Sequence, residues 1–127
     1  MAPRTIAYWT TTGLFALALT GGGFADLSGA PAVVAGITHL GYPAFLATIL
    51  GVWKLLGVVA LLAPGFTRLK EWAYAGFVFN LTGAAVSHVL GGDPVANVIP
   101  PLVLLTLGLA SWALRPAERR LGEVLPA

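Results

Sequence analysis

The spacing of charged residues constrains this chain more than any other feature. Between Arg4 and Asp26 lie 21 residues, Thr5 to Ala25, without Asp, Glu, Lys or Arg. Another 21, Trp72 to Gly92, separate Glu71 from Asp93, and a further 21, Pro94 to Leu114, separate Asp93 from Arg115. A helix needs about 20 apolar residues to cross roughly 30 Å of hydrocarbon, so each stretch can span a membrane. A fourth stretch, from about Pro43 to Ala63, is apolar except for Lys54. Its ends carry the breaker signals Gly41-Tyr42-Pro43 and Ala63-Pro64-Gly65. Lipid offers no partner to backbone polar groups, so spanning segments of this kind are helical. The pattern therefore predicts an all-α protein. The expected architecture is an integral membrane four-helix bundle, one domain over 1–127, with spans at about 5–25, 43–63, 71–91 and 94–114.

Composition points the same way. The chain is 57% hydrophobic and 9% charged, with a mean hydropathy of +0.86, against about 25% charged residues in soluble domains. A soluble domain of 127 residues could not hide that much apolar surface. Absence of cysteine excludes disulfides, thiolate metal sites and iron–sulfur clusters. The basic pI of 9.4 rests on seven Lys+Arg against five Asp+Glu, too few for a nucleic-acid surface. A cleaved leader at the first stretch is a weaker reading, because the run is long enough to span.

Four crossings place Arg4, Arg68, Lys70, Arg115, Arg119 and Arg120 on one side and no Lys or Arg on the other. Basic residues stay cytoplasmic, so both termini are expected inside, in a cytoplasmic (inner) membrane. Trp9, Trp72 and Trp112, with Tyr8 and Tyr74, read as an interfacial belt at that level. Between the first two spans, Pro31 opens a short interfacial or re-entrant helix on the outer side that ends at Gly41. Gly21-Gly22-Gly23 reads as the frayed outer end of the first helix, and the tail after Arg115-Pro116 as a frayed end.

Lys54 is the most informative polar residue. It lies about 15 Å from either end of its span, and its stem of roughly 6 Å does not reach water. An amine at that depth costs about 2.5–3.5 kcal/mol. Asp26, Asp93 and Glu71 mark the span edges, which leaves Lys54 without an acid at its own depth. Asn80, about 12 Å into the third span, is then the candidate partner. Ala73, Gly76, Asn80, Gly83 and Ser87 share one helix face, and Gly51, Lys54 and Gly57 share another. Small residues of this kind usually serve close helix packing; a polar seam lining a cavity is the functional alternative. His39 and His88, with Asp93, could hold a metal or haem, but no ligand spacing supports one. They read rather as hydrogen-bonded histidines or contacts to a ligand head. No catalytic triad, phosphate loop or carboxylate pair is present, so no catalytic residue is assigned and any enzymatic role is at most accessory.

Several segments resemble the DoxX-like family of small bacterial membrane proteins. They are Gly51-Val52-Trp53-Lys54-Leu55-Leu56-Gly57, Leu62-Ala63-Pro64-Gly65, Leu69 to Phe77 (LKEWAYAGF) and Ser87-His88. The similarity runs from about Thr12 to Leu114. It implies a four-helix membrane bundle. The wider family is named for a subunit of a thiosulfate:quinone oxidoreductase, some relatives accompany oxidative-stress enzymes, and distant eukaryotic relatives include a receptor-assembly chaperone. Lys54, Glu71, Asn80, Ser87 and His88 fall within the resembling pattern.

Together these features favour a membrane accessory protein that binds a small lipophilic, quinone-like ligand inside the bundle. It would act within a membrane oxidoreductase system, with Lys54, Asn80, Ser87, His88 and His39 as ligand-binding residues. A structural or chaperone subunit docking a protein partner through Arg68 to Trp72 is the rival. A homo-oligomeric proton-coupled transporter using Lys54 and His88 is the third reading.

Overall fold

The structure, a computed structural model, describes residues 2–121. Among these the chain forms five α-helices and no strand: α1 (Pro3–Leu27), α2 (Pro31–His39), α3 (Leu46–Leu62), α4 (Thr67–Leu90) and α5 (Val95–Ala113). A 3-10 turn follows at Ala117–Arg119. Proline stands at the first position of α1 and α2, where its missing N–H leaves no helical bond unmade. α2 starts at Pro31 as the sequence predicts and turns away from α1 by 85°. The glycines flanking it, Gly29 and Gly41, adopt φ of +66° and +91°, a conformation that side-chain-bearing residues rarely take.

The four longer helices pack in a cycle: α1 on α3, α3 on α4, α4 on α5 and α5 on α1. Neighbours run antiparallel. Arg4, at the start of α1, donates to the Ala113 carbonyl at the end of α5 at 2.9 Å. Further along the same pair, Thr12 bonds Ser111 at 2.5 Å. Phe15, Leu19, Val58, Leu61, Phe77 and Leu81 form the centre, with the rings of Phe15 and Phe77 edge to face at 5.4 Å. Each ring sits over a glycine. A Cβ at Gly57 would collide with Phe77, and one at Gly108 would come within 2.9 Å of Phe15.

The outer surface is as apolar as the core: Leu17, Phe79 and Leu90 are each more than 70% exposed. Such a surface is at home in lipid. α4 and α5 are long and apolar enough to cross a membrane, and the bent α1–α2 pair adds a third candidate span. α3 departs from expectation. It runs over 17 residues, about 26 Å, rather than the 43–63 span, at the short end of what a membrane crossing takes.

Two expectations of fraying are corrected. α1 stays regular through Gly21-Gly22-Gly23 to Leu27, because Gly23 packs on α3: a Cβ there would lie 2.9 Å from Leu55. The tail does not fray at Pro116. Arg119 donates to the Leu61 carbonyl at 2.9 Å, and its guanidinium lies over the Trp9 ring. Residues 122–127 lie outside the described residues. The aromatic belt also divides. Trp9, Trp72 and Trp112 are exposed, whereas Tyr8 and Tyr74 are buried, and Tyr74 bonds Ser111 at 2.8 Å.

Candidate functional site

The largest correction concerns Lys54. Its ammonium donates to Asp26 Oδ2 at 2.8 Å, and the Asp26 side chain is 7% exposed. Asp26 is not an edge marker but part of α1, and two glycines bring it to the lysine. A Cβ on Gly51 would lie 2.9 Å from the Gly23 carbonyl, so α1 and α3 cross there nearly backbone to backbone. Asp26 follows Gly23 by three residues, and Lys54 follows Gly51 by three. Helical side chains lean toward their own N-terminus. In antiparallel helices Lys54 and Asp26 therefore lean toward each other. The repeated Gly-x-x-charge spacing was visible in the sequence; the crossing that joins the two copies was not.

Beside this pair, α3 and α4 enclose a cavity of about 680 Å³. Trp53, Phe66, Trp72 and Phe77 supply aromatic wall, and Lys54 and Asn80 line it among apolar residues. The small-residue face of α4 forms one side. Nothing lies within 4 Å of a Cβ built on Gly76 or Gly83, so those glycines do not serve helix packing, the commoner role for such a stripe. They hold the groove open. Gly57 lines the cavity as well while seating Phe77; Gly51, on the same helix, faces α1. Among the described residues the Asn80 amide makes no hydrogen bond, and it does not reach Lys54 as its partner.

A second cavity of about 430 Å³ lies under α2, between it, α3 and α4. Ser87, His88 and Asn80 line it; His39 does not. Tyr42, which sequence reasoning passed over, lines it too and bonds Ser87 at 2.7 Å, while Ser87 donates to the Gly83 carbonyl. His39 and His88 meet on one carboxylate. His39 Nε2 lies 2.7 Å from Asp93 Oδ1, and His88 Nδ1 lies 2.6 Å from Asp93 Oδ2. These bonds, His88's first and His39's next, hold the Asp93 carboxyl at about 2, below the usual carboxylate range. Among the described residues no cluster of His, Asp and Glu has the arrangement of a metal site.

The far end is built differently. α3 ends without a capping side chain of its own, and its last carbonyls need donors. Lys70, 1% exposed, reaches back from α4 and donates to the carbonyls of Ala60 at 2.9 Å and Gly65 at 2.7 Å, and to that of Ala63. Arg119 takes Leu61. Cations at a helix C-terminus are also favoured by its dipole. The turn they secure is tight, with Gly65 and Phe66 both in the left-handed region, Phe66 at φ 51°. Glu71 pairs with Arg115 and accepts from Trp112 Nε1 at 3.1 Å. Two residues of the proposed docking segment, Lys70 and Glu71, are thus engaged within the chain.

Among the described residues, helices with apolar outer faces, the internal Lys54–Asp26 ion pair and an open groove between α3 and α4 are the features of a small membrane protein. The profile of the DoxX-like family matches residues 10–111, and the chain belongs to that family. Comparison with curated proteins and with solved structures finds no match.

Proposed function

We propose that this protein is a single-domain four-helix membrane bundle of the cytoplasmic membrane, basic end inward. It binds a small lipophilic molecule with a quinone-like polar head in the groove between α3 and α4. The observation that carries this is the aromatic-walled cavity of about 680 Å³ into which few polar groups, chiefly Lys54 and Asn80, are admitted. Ligand sites of this size, apolar with a few placed polar groups, are the usual form of small-molecule pockets. The charge of Lys54 is matched by Asp26, so attraction for an anion is not the basis of binding. Its hydrogen-bonding capacity is not exhausted. An ammonium has three donors and Asp26 takes one, which leaves donors for a ligand carbonyl, with Asn80 as a second contact. An accessory place in a quinone-linked oxidoreductase system fits this chemistry, and the chain's own residues would bind and orient the ligand rather than react.

The test is lipid extraction from protein purified in mild detergent, followed by mass spectrometry for quinones. The wild-type protein is expected to retain a quinone. Gly76→Trp, whose Cβ meets nothing within 4 Å and whose ring would occupy the groove, is expected to lose most of it at unchanged melting temperature. Equal lipid content in both proteins would remove the proposal.

A further inference from the structure

The two cavities abut, since Leu50 and Asn80 line both of them. We infer that they form one elongated site for a single-chain amphiphile with an uncharged, hydroxyl-bearing head. The hydroxyl-bearing end of the head sits under α2, the head extends to Lys54 and Asn80 where the two cavities meet, and the chain runs on down the α3–α4 groove toward Trp72. This presupposes the lipophilic groove proposed above and adds the class and direction of its occupant.

Polarity sets the direction. The chamber under α2 gathers Tyr42, Ser87 and His88, whereas beyond Lys54 and Asn80 the groove has only apolar and aromatic wall. From Ser87 to Trp72 the α4 axis advances about 22 Å, room for one long extended chain. Charge sets the class. Lys54 is balanced by Asp26, and Asp93 is shared by His39 and His88. Among the described residues no uncompensated cation lines either cavity, so a phosphate-bearing head finds no counter-charge there, and burying an unmatched ion is costly. The hydrogen bonds in place narrow the head further. Ser87 donates to Gly83, so the Tyr42 hydroxyl donates to Ser87 and keeps free lone pairs. His88 donates from Nδ1 to Asp93, so a ring that carries one proton presents Nε2 as an acceptor. Both groups lack a donor, and a hydroxyl supplies one. A quinol and a long-chain alcohol share that chemistry.

The experiment uses hexadecanol carrying a photoreactive diazirine either beside the hydroxyl or at the chain end, added to the full-length protein in nanodiscs. Head-proximal label is expected on α2 and the facing part of α4, near Ile37 and Ala84, and chain-end label near Leu69 and Trp72. The reverse pattern would overturn the inference and leave the groove intact as a lipophilic site. Label scattered over outward residues such as Leu17 and Phe24, with none enriched in the groove, would overturn both. Hexadecyl phosphate is expected to compete at least tenfold more weakly than hexadecanol; equal competition would overturn the uncharged head. Mass spectrometry of lipid co-purified with the wild type separates the sources, a quinol from a plain alcohol, and finding only phospholipid would overturn the assignment of class.

Discussion

At the basic end of the molecule Lys70 and Arg119 close on backbone carbonyls and Arg115 closes on Glu71. At the histidine end the links join side chain to side chain, His39 and His88 to Asp93 and Tyr42 to Ser87, beside a helix with no buried residue. The basic end satisfies obligatory backbone groups, which cannot be left unpaired away from water. The histidine end uses groups that can part and rehydrate at small cost. One end is therefore expected to be rigid, and the other to open first, where α2 roofs the second cavity.

Breaking the rigid end should have the largest effect. Lys70→Met leaves three carbonyls without their donor and is expected to cost about 3–5 kcal/mol, at about 1–3 kcal/mol per orphaned buried group. Unfolding followed by circular dichroism in detergent measures it; a cost below about 1 kcal/mol would show that the carbonyls find other donors.

Next comes the ion pair that joins the halves. Lys54→Met or Asp26→Asn alone is expected to cost about 2–4 kcal/mol by leaving one buried charge unmatched, and the double change Lys54→Met with Asp26→Leu to recover most of that. Had Lys54 lacked an acid, its removal would have been stabilising; the sign of this single substitution separates the two pictures.

Asp93→Asn should act locally. Hydrogen exchange of α2 amides is expected to rise several-fold while α3 and α4 keep their protection; unchanged α2 exchange would mean that the histidine links do not hold the roof. The Asp93 carboxyl is lowered from 3.8 to about 2 in the folded chain. Its contribution is therefore complete above the unfolded value and fades as pH falls toward the folded one. Wild type and Asp93→Asn should converge in α2 protection over that interval, and a constant difference across it would contradict the link. The smallest effect belongs to the groove floor. Gly76→Ala and Gly83→Ala are expected to stabilise the helix by about 0.5–1 kcal/mol, since nothing meets the added methyl. Destabilisation at either position would mean that the groove is packed shut.

Much of the candidate site could be read along the chain, but not its connections. Asn80 and Ser87 share a face by helical periodicity, and both do border the cavities. The pairing of Asp26 with Lys54 was not legible, because a charge at the end of an apolar run reads as a membrane edge whether or not it is buried. Lys70 was equally opaque. The positive-inside pattern counts it as one more basic residue, and nothing local shows that it turns back onto α3.

The amino-acid sequence alone determined the helical class, the membrane character, the short helix at Pro31 and the gathering of basic residues at one end. Each follows from local periodicity, breakers or charge spacing. Tertiary structure alone decided which charges meet, which glycines pack and which hold a groove open. Those outcomes depend on how closely two helices cross, and that distance is set by residues far apart in the chain.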